Sequence, residues 1–218
     1  MKDRSSPLEA GVSGLLVIDL QEAFVRRGQG FYANPDPKRW SPARLEAYFD
    51  AVEGRVLPNA RRLARAFRAA RQEVLFTVIQ SLTKDGRDRS LDHKLSHIHV
   101  PKGDAGGRVP PELEPGEDEI LLPKSASGVF NATNVEYLLR NLGISDLVLC
   151  GVFTDQCVES AVRDASDRGF YVTLAGDACA GTTPEAHANS LSAMAAYGRV
   201  RTTDEILGEL AAMRGAAA

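Results

Sequence analysis

The chain has 218 residues, 44% hydrophobic and 25% charged, proportions that exclude a disordered or fibrous chain and suit one compact domain. Lys plus Arg number 26 against 29 Asp plus Glu, a formal net charge of −3, so no general attraction draws it to nucleic acid or an anionic membrane. The 3 cysteines are too few for a disulfide framework, the first residues lack the apolar core of a signal peptide, and no apolar run nears membrane-spanning length; a reduced cytoplasmic protein is predicted.

Residues 1–12 read as a tail ahead of a single domain covering the whole chain. The first apolar run is Gly14 to Asp19, followed by a Gly-, Pro- and charge-rich stretch from Arg26 to Pro42. Leu45, Phe49, Val52, Val56, Ala60, Leu63 and Phe67 recur at three- and four-residue steps, predicting a helix from Leu45 to Arg71 with a kink or break at Pro58. A second apolar run, Val74 to Ile79, precedes another loop-like stretch, Lys84 to Gly116. Long loops in compact domains are often lids or partner surfaces, and neither stretch looks like a separate domain. Further runs at Glu119–Leu122, Leu147–Val152, Tyr171–Ala175 and Arg199–Thr202 alternate with helical patterns over Val135–Leu142, Val158–Arg168, Pro184–Tyr197 and Thr203–Met213. Gly143, Gly169 and Gly198 stop the first three. Runs apolar on both faces suit strands buried between helix layers. The prediction is a doubly wound α/β fold, Rossmann-like, with a mainly parallel six-stranded sheet and helices on both faces.

In such folds the chemistry sits beyond the carboxyl ends of the strands. The first strand delivers Asp19, and neither a dinucleotide-binding Gly-x-Gly-x-x-Gly nor a P-loop follows it. The third delivers Lys124, and the fourth delivers Gly151-Val-Phe-Thr-Asp-Gln-Cys157, with Cys157 opening a helix. A helix N-terminus and a nearby cation favour a thiolate. An adjacent carboxylate can take the thiol proton and return it to a leaving amine. Backbone N–H groups around Phe153 and Cys157 would face a developing oxyanion, as acyl transfer requires.

LLVIDLQEAF, LPKSASGVFNAT and LCGVFTDQCVESAVRDASDRGF resemble the isochorismatase-like cysteine hydrolases, which include nicotinamidases, N-carbamoylsarcosine amidohydrolase, and biuret and ureidoacrylate hydrolases. The strand and helix order between them also fits, so the resemblance covers about residues 12–205. It implies an Asp19, Lys124 and Cys157 triad, a thioester on Cys157, an oxyanion hole from the backbones of Phe153 and Cys157, and a cis peptide before Phe153. The implied activity is cofactor-independent hydrolysis of a small amide, ureido or carbamoyl compound by a homo-oligomer, a dimer or tetramer. Isochorismatase-type vinyl ether hydrolysis is the alternative, although known enzymes of that kind lack the cysteine. A receiver-like binding domain is a second alternative that leaves Cys157 unexplained.

Phe24 lies five residues beyond Asp19, where the family commonly has an aromatic over the substrate. Gln80, Phe130 and Tyr197 are further substrate-binding candidates. Cys150 and Cys179 read as structural thiols. Some nicotinamidases carry an Asp-x-His metal pair after the second strand; here Gln80-Ser-Leu-Thr-Lys-Asp occupies that stretch, and no metal is expected. His93, His97 and His99 fall in a charged loop, where solvated or oligomer-contact roles are expected.

Overall fold

The computed structural model, described over residues 2–216, turns each of the six apolar runs into a strand. β1 (Ser13–Ile18), β2 (Glu73–Ile79), β3 (Ile120–Lys124), β4 (Asp146–Val152), β5 (Tyr171–Ala180) and β6 (Arg199–Arg201) form one sheet in the order β3-β2-β1-β4-β5-β6. Every pairing is parallel. All residues of β1 and β4 are buried, which is why these segments are continuous rather than alternating in hydrophobicity. The order reverses between β1 and β4, and ligands of doubly wound sheets bind in the crevice at that switch. Asp19 follows β1 directly, and the segment bearing Cys157 follows β4.

The helices are α1 (Glu22–Val25), α2 (Pro42–Ala51), α3 (Leu57–Ala69), α4 (Leu91–Leu95), α5 (Val129–Ala132), α6 (Val135–Asn141), α7 (Glu159–Asp167), α8 (Pro184–Met194) and α9 (Thr203–Ala216). α3 packs with α9 and α7 with α8, and both pairs contact β5, which therefore lies between two helix layers. α3 shows the logic: Leu57, Ala60, Leu63, Ala64 and Phe67 are buried on one stripe, each Leu or Phe stabilising the fold by about 1.5–3 kcal/mol. Its outer face carries Arg61, Arg65 and Arg68, paired with Glu114 and Glu119. No helix among the described residues is long and apolar enough to cross a membrane.

Three local expectations change. The 45–71 helix does not break at Pro58; it widens just before it, over Val52–Val56, where the Leu57 N–H reaches back to the Val52 carbonyl. One loosened turn accommodates the proline ring and its missing N–H without ending the helix. β5 runs on to Ala180 through Gly176-Asp177, residues that look like a turn. Asp177 instead accepts hydrogen bonds from the Thr203 N–H and hydroxyl at 2.7 and 2.8 Å, capping α9. The expected tail is also held down. Leu8 is buried, its N–H donates to Glu209 at 2.9 Å, and Lys2 pairs with the buried Asp146 at the amino end of β4.

Candidate active site

Asp19 adopts φ +53°, a left-handed conformation that Asp tolerates better than most side chains. Its N–H donates to the Thr77 carbonyl at 3.1 Å, and the Thr77 hydroxyl donates to Asp19 Oδ1 at 2.8 Å. Lys124 ends β3, and its side chain passes over the end of β2 to reach Asp19. Nζ lies 2.8 Å from Asp19 Oδ2 and donates to the Ala126 and Ser127 carbonyls at 3.0 Å each. Its remaining contact is Cys157 Sγ at 3.4 Å. The Oδ2–Nζ contact is an ion pair without hydrogen-bond alignment, so Oδ2 is a buried oxygen with a lone pair still free.

The end of β4 is shaped to present the thiol. Gly151 has φ +130° and a Cβ there would fall 2.0 Å from the Ile18 carbonyl oxygen, so only glycine lets β4 pass β1 this closely. The Val152–Phe153 peptide is cis. Thr154–Val158 then forms a wide turn that runs into α7, so the helical path starts four residues before the expected Val158. The Phe153 carbonyl takes the N–H groups of Gln156 and Val158 at 3.0 and 3.2 Å and passes over that of Cys157. Two side chains anchor the turn: Asp155 accepts from the Thr182 N–H and hydroxyl at 2.7 and 2.6 Å, and the Thr154 hydroxyl bonds His187 Nδ1 at 2.8 Å.

Asp19, Lys124 and Cys157 are all buried, and burial governs their protonation. It pushes the Cys157 thiol up to about 12; Lys124 opposes this and Asp19 reinforces it. The resting sulfur is therefore a neutral thiol, where helix-start position and a neighbouring cation alone suggested a thiolate. Burial also works against the Lys124 ammonium, but attraction to Asp19 opposes it and the lysine is held above its usual value. A charged carboxylate–ammonium pair with a protonated thiol against it can ionise the sulfur by one short proton transfer to Asp19.

Aromatic side chains roof this floor. Phe24 is buried, with its ring 6.2 Å from that of Phe153. Trp40 and Tyr48 lie 5.7 and 5.3 Å from the same ring, and the Tyr48 hydroxyl donates to the Phe24 carbonyl at 3.0 Å. Beyond Phe24 a cavity of about 790 Å³ opens between the two long loops, lined by Phe31, Trp40, His97, His99 and Val100 among others. The 26–42 stretch thus forms one wall of this cavity and reaches Phe153 through Trp40, the single tryptophan, which was the signal available for it.

Gln80, Phe130 and Tyr197 do not join this group. The Gln80 side chain abuts Gly107 in a separate cavity with Phe76 and Leu121. Only its backbone serves the site, donating to the Lys124 carbonyl at 3.0 Å. The Phe130 ring packs 6.1 Å from Phe170, under the Arg168 guanidinium, at the carboxyl end of α7. Tyr197 sits just ahead of β6, at the amino ends of the strands, beneath Arg163. A helix returning antiparallel to the strands carries its last residues away from the strands' carboxyl ends. Gln21, overlooked in the sequence, is fully buried; it donates to the Ile79 and Gly106 carbonyls at 3.0 and 2.9 Å and accepts from the Ile79 N–H at 2.6 Å. It ties β1, β2 and the second long loop together beneath the site. His93, expected near solvent, is fully buried. Among the described residues no group of three or more His, Cys, Asp or Glu side chains is arranged to hold a metal ion.

The family model described as the isochorismatase domain matches residues 13–205. The chain belongs to the isochorismatase family. A relative from Escherichia coli O157:H7, the uncharacterized isochorismatase family protein YecD, is 30% identical over 93% of this chain and 98% of its own length. The ureidoacrylate amidohydrolase RutB of Serratia proteamaculans is 30% identical over 80% of this chain and 70% of its own. Among solved structures, a cysteine hydrolase from Pseudomonas syringae pv. phaseolicola 1448A superposes with a TM-score of 0.80 at 21% identity, covering 95% of this chain and 96% of that one. That last likeness bears on the fold: an all-parallel, six-stranded isochorismatase-like sheet.

Proposed function

We propose that this isochorismatase-family chain is a cysteine-dependent amidohydrolase acting on a small amide, ureido or carbamoyl compound. The observation that carries the reading is the Lys124 ammonium within 2.8 Å of Asp19 Oδ2 and 3.4 Å of Cys157 Sγ, in a buried crevice. The family relation to a ureidoacrylate amidohydrolase supports the substrate class.

As the substrate carbonyl reaches Sγ, the thiol proton passes to Asp19 Oδ2 and the S–C bond forms. The tetrahedral oxyanion takes hydrogen bonds from the Phe153 and Cys157 N–H groups. Lys124 holds the carboxylate in place and offsets the developing thiolate charge. Collapse breaks the C–N bond, and Asp19 returns its proton to the departing ammonia or amine. Water then enters, gives a proton to the Asp19 carboxylate, and attacks the thioester; collapse releases the acid, and the proton returns to sulfur. No cofactor or metal takes part. The aromatic roof of Phe24 and Trp40 suits a compact substrate and keeps bulk water away from the thioester. A thiol between an acid and a lysine serves acyl transfer and has no part in vinyl ether hydrolysis.

Two features of the wider molecule belong to the same proposal. Leu91 and Leu95 are exposed on the second long loop and Leu82 just ahead of it, apolar side chains that would serve assembly as a homo-oligomer. All three cysteines are free and buried, as suits a reducing cytoplasm. The test is an ammonia-release screen over small amides, ureas and carbamoyl compounds. We expect turnover of at least one of these and a loss of at least about 10³-fold with Cys157→Ala; unchanged turnover in that variant overturns the mechanism.

A further inference from the structure

Besides Asp19 Oδ2, the buried side-chain atoms without a hydrogen-bond partner include both ring nitrogens of His93, Nδ1 and Nε2. His93 is fully buried, and its setting is well built. The Ser90 hydroxyl caps the turn by accepting from the His93 N–H at 3.2 Å, and the Ile98 N–H donates to the His93 carbonyl at 2.9 Å. The Ser90 N–H donates to the Ser125 carbonyl at 2.9 Å, fastening α4 to the loop whose Ala126 and Ser127 carbonyls hold Lys124. The helix is turned inside out: His93 points inward while Leu91 and Leu95 are exposed. Lys124, Asp19, Asp92 and Arg89 are the charged groups that act on the ring, so it lies within the field of the candidate site.

A packed, satisfied histidine would have a partner on at least one nitrogen, because an unpaired buried donor or acceptor is destabilising. Such groups persist where a ligand completes them. The scissile carbonyl belongs to Cys157 and the N–H groups at the end of β4. α4 is fastened to the loop after β3 whose carbonyls hold Lys124, which places the imidazole on the Lys124 side of the site, away from the end of β4. We propose that His93 hydrogen-bonds the part of the substrate remote from the scissile carbonyl, and that it selects a donor-and-acceptor group there over an alkyl group of the same shape. The inference rests on the amidohydrolase reading for the position of the scissile bond. Burial, helped by Lys124, holds the ring below its ordinary pKa, so at neutral pH it is uncharged, with one nitrogen donating and the other accepting. A site built around such a group rejects the analogue that leaves it unpaired far more strongly than an apolar pocket rejects a missing methylene.

The probes are malonamide and 3-methylbutanamide, in which the second amide is replaced by an isosteric pair of methyl groups. Binding is followed by ligand-observed NMR to the Cys157→Ala protein, where turnover does not interfere. We expect malonamide to bind at least about tenfold more tightly, His93→Leu in that background to bring the ratio within about twofold, and His93→Gln to keep a preference of several-fold. His93→Leu should melt no lower than its parent, since an unpaired polar group is exchanged for an apolar one; a histidine serving only the core would melt lower. With position 93 intact, the imidazole resonances of histidine-labelled protein should shift with malonamide and stay in place with its isostere. Absence of the preference, its survival in His93→Leu, or silent His93 resonances overturns the inference. If malonamide binds in this pattern but the wild-type protein releases no ammonia from any compound screened, the hydrolase reading fails and the role of His93 stands.

Discussion

The sheet carries an Asp–Lys pair at each end, with the Asp buried in both and the Lys fully buried only in the second, and the two serve different purposes. At the amino end, Asp146 Oδ2 meets Lys2 at 2.5 Å and also accepts the Glu9 N–H at 3.1 Å; the pair fastens the first residues of the chain to β4. At the carboxyl end, Asp19 meets Lys124, which is fully buried and also touches a thiol. The first pair uses its charges to hold backbone in place. Each carboxylate keeps one buried oxygen without a hydrogen-bond partner, Oδ1 in Asp146 and Oδ2 in Asp19, but only the second pair has a protonated sulfur beside the same ammonium. A buried ion pair is weak evidence for function in itself; what distinguishes the second is the acid–base chemistry its neighbours make available.

Substituting the two lysines separates the pairs most strongly. Lys124→Met should lower kcat by about 10³-fold or more, measured on the folded fraction because an unpaired buried Asp19 costs about 3–5 kcal/mol. Lys2→Met should leave kcat/KM within about twofold and lower stability by about 1–3 kcal/mol in denaturant titrations. Comparable losses of activity from both would erase the distinction.

Alkaline stability comes next. Cys157 and Cys179 are each pushed up to about 12 by burial, and Cys150 is raised as well. The folded state keeps these protons while the unfolded chain releases them from about pH 9 upward. Stability is therefore fully present below pH 9 and should fall above it, by about 1.4 kcal/mol per pH unit for each thiol still protonated in the fold. Cys157→Ala should remove about one third of that slope; an unchanged slope would mean that the sulfur is already ionised. On the acid side, His93 and His187 are held below their usual values chiefly by burial. The unfolded chain takes up protons there first, so stability should decline as pH drops below about 6.5, and His93→Leu should flatten part of that decline.

Smaller effects probe the supports of the pair. Thr77→Val removes the 2.8 Å hydrogen bond to Asp19 Oδ1 and should reduce kcat about tenfold, the equivalent of one hydrogen bond to a charged group. Trp40→Leu thins the roof over Phe153 and should raise KM several-fold with little change in kcat.

Much of the floor was legible because it follows from chain chemistry. Continuous apolar runs announced β1 and β4, and the residues leaving three strands, Asp19, Lys124 and the segment to Cys157, met where a doubly wound sheet brings strand ends together. What escaped depends on direction and depth. Tyr197 was misplaced because sequence pattern does not say which end of the sheet a helix terminus reaches, and Phe130 because its ring turns toward Arg168 and Phe170. His93 lies in a charged segment whose neighbours are exposed, and nothing in LDHKL says that the histidine faces inward. Thr77 did leave a mark, as the polar residue within VLFTVI. Its partner became evident only with the register that sets it against Ile18, next to Asp19.

The most direct test is mass spectrometry of the wild-type protein, quenched during turnover of a substrate found in the amide and ureide screen. The account predicts the acyl mass on the peptide that carries Cys157. The same adduct on Cys150 or Cys179, or steady turnover with all three sulfurs unmodified, would contradict it.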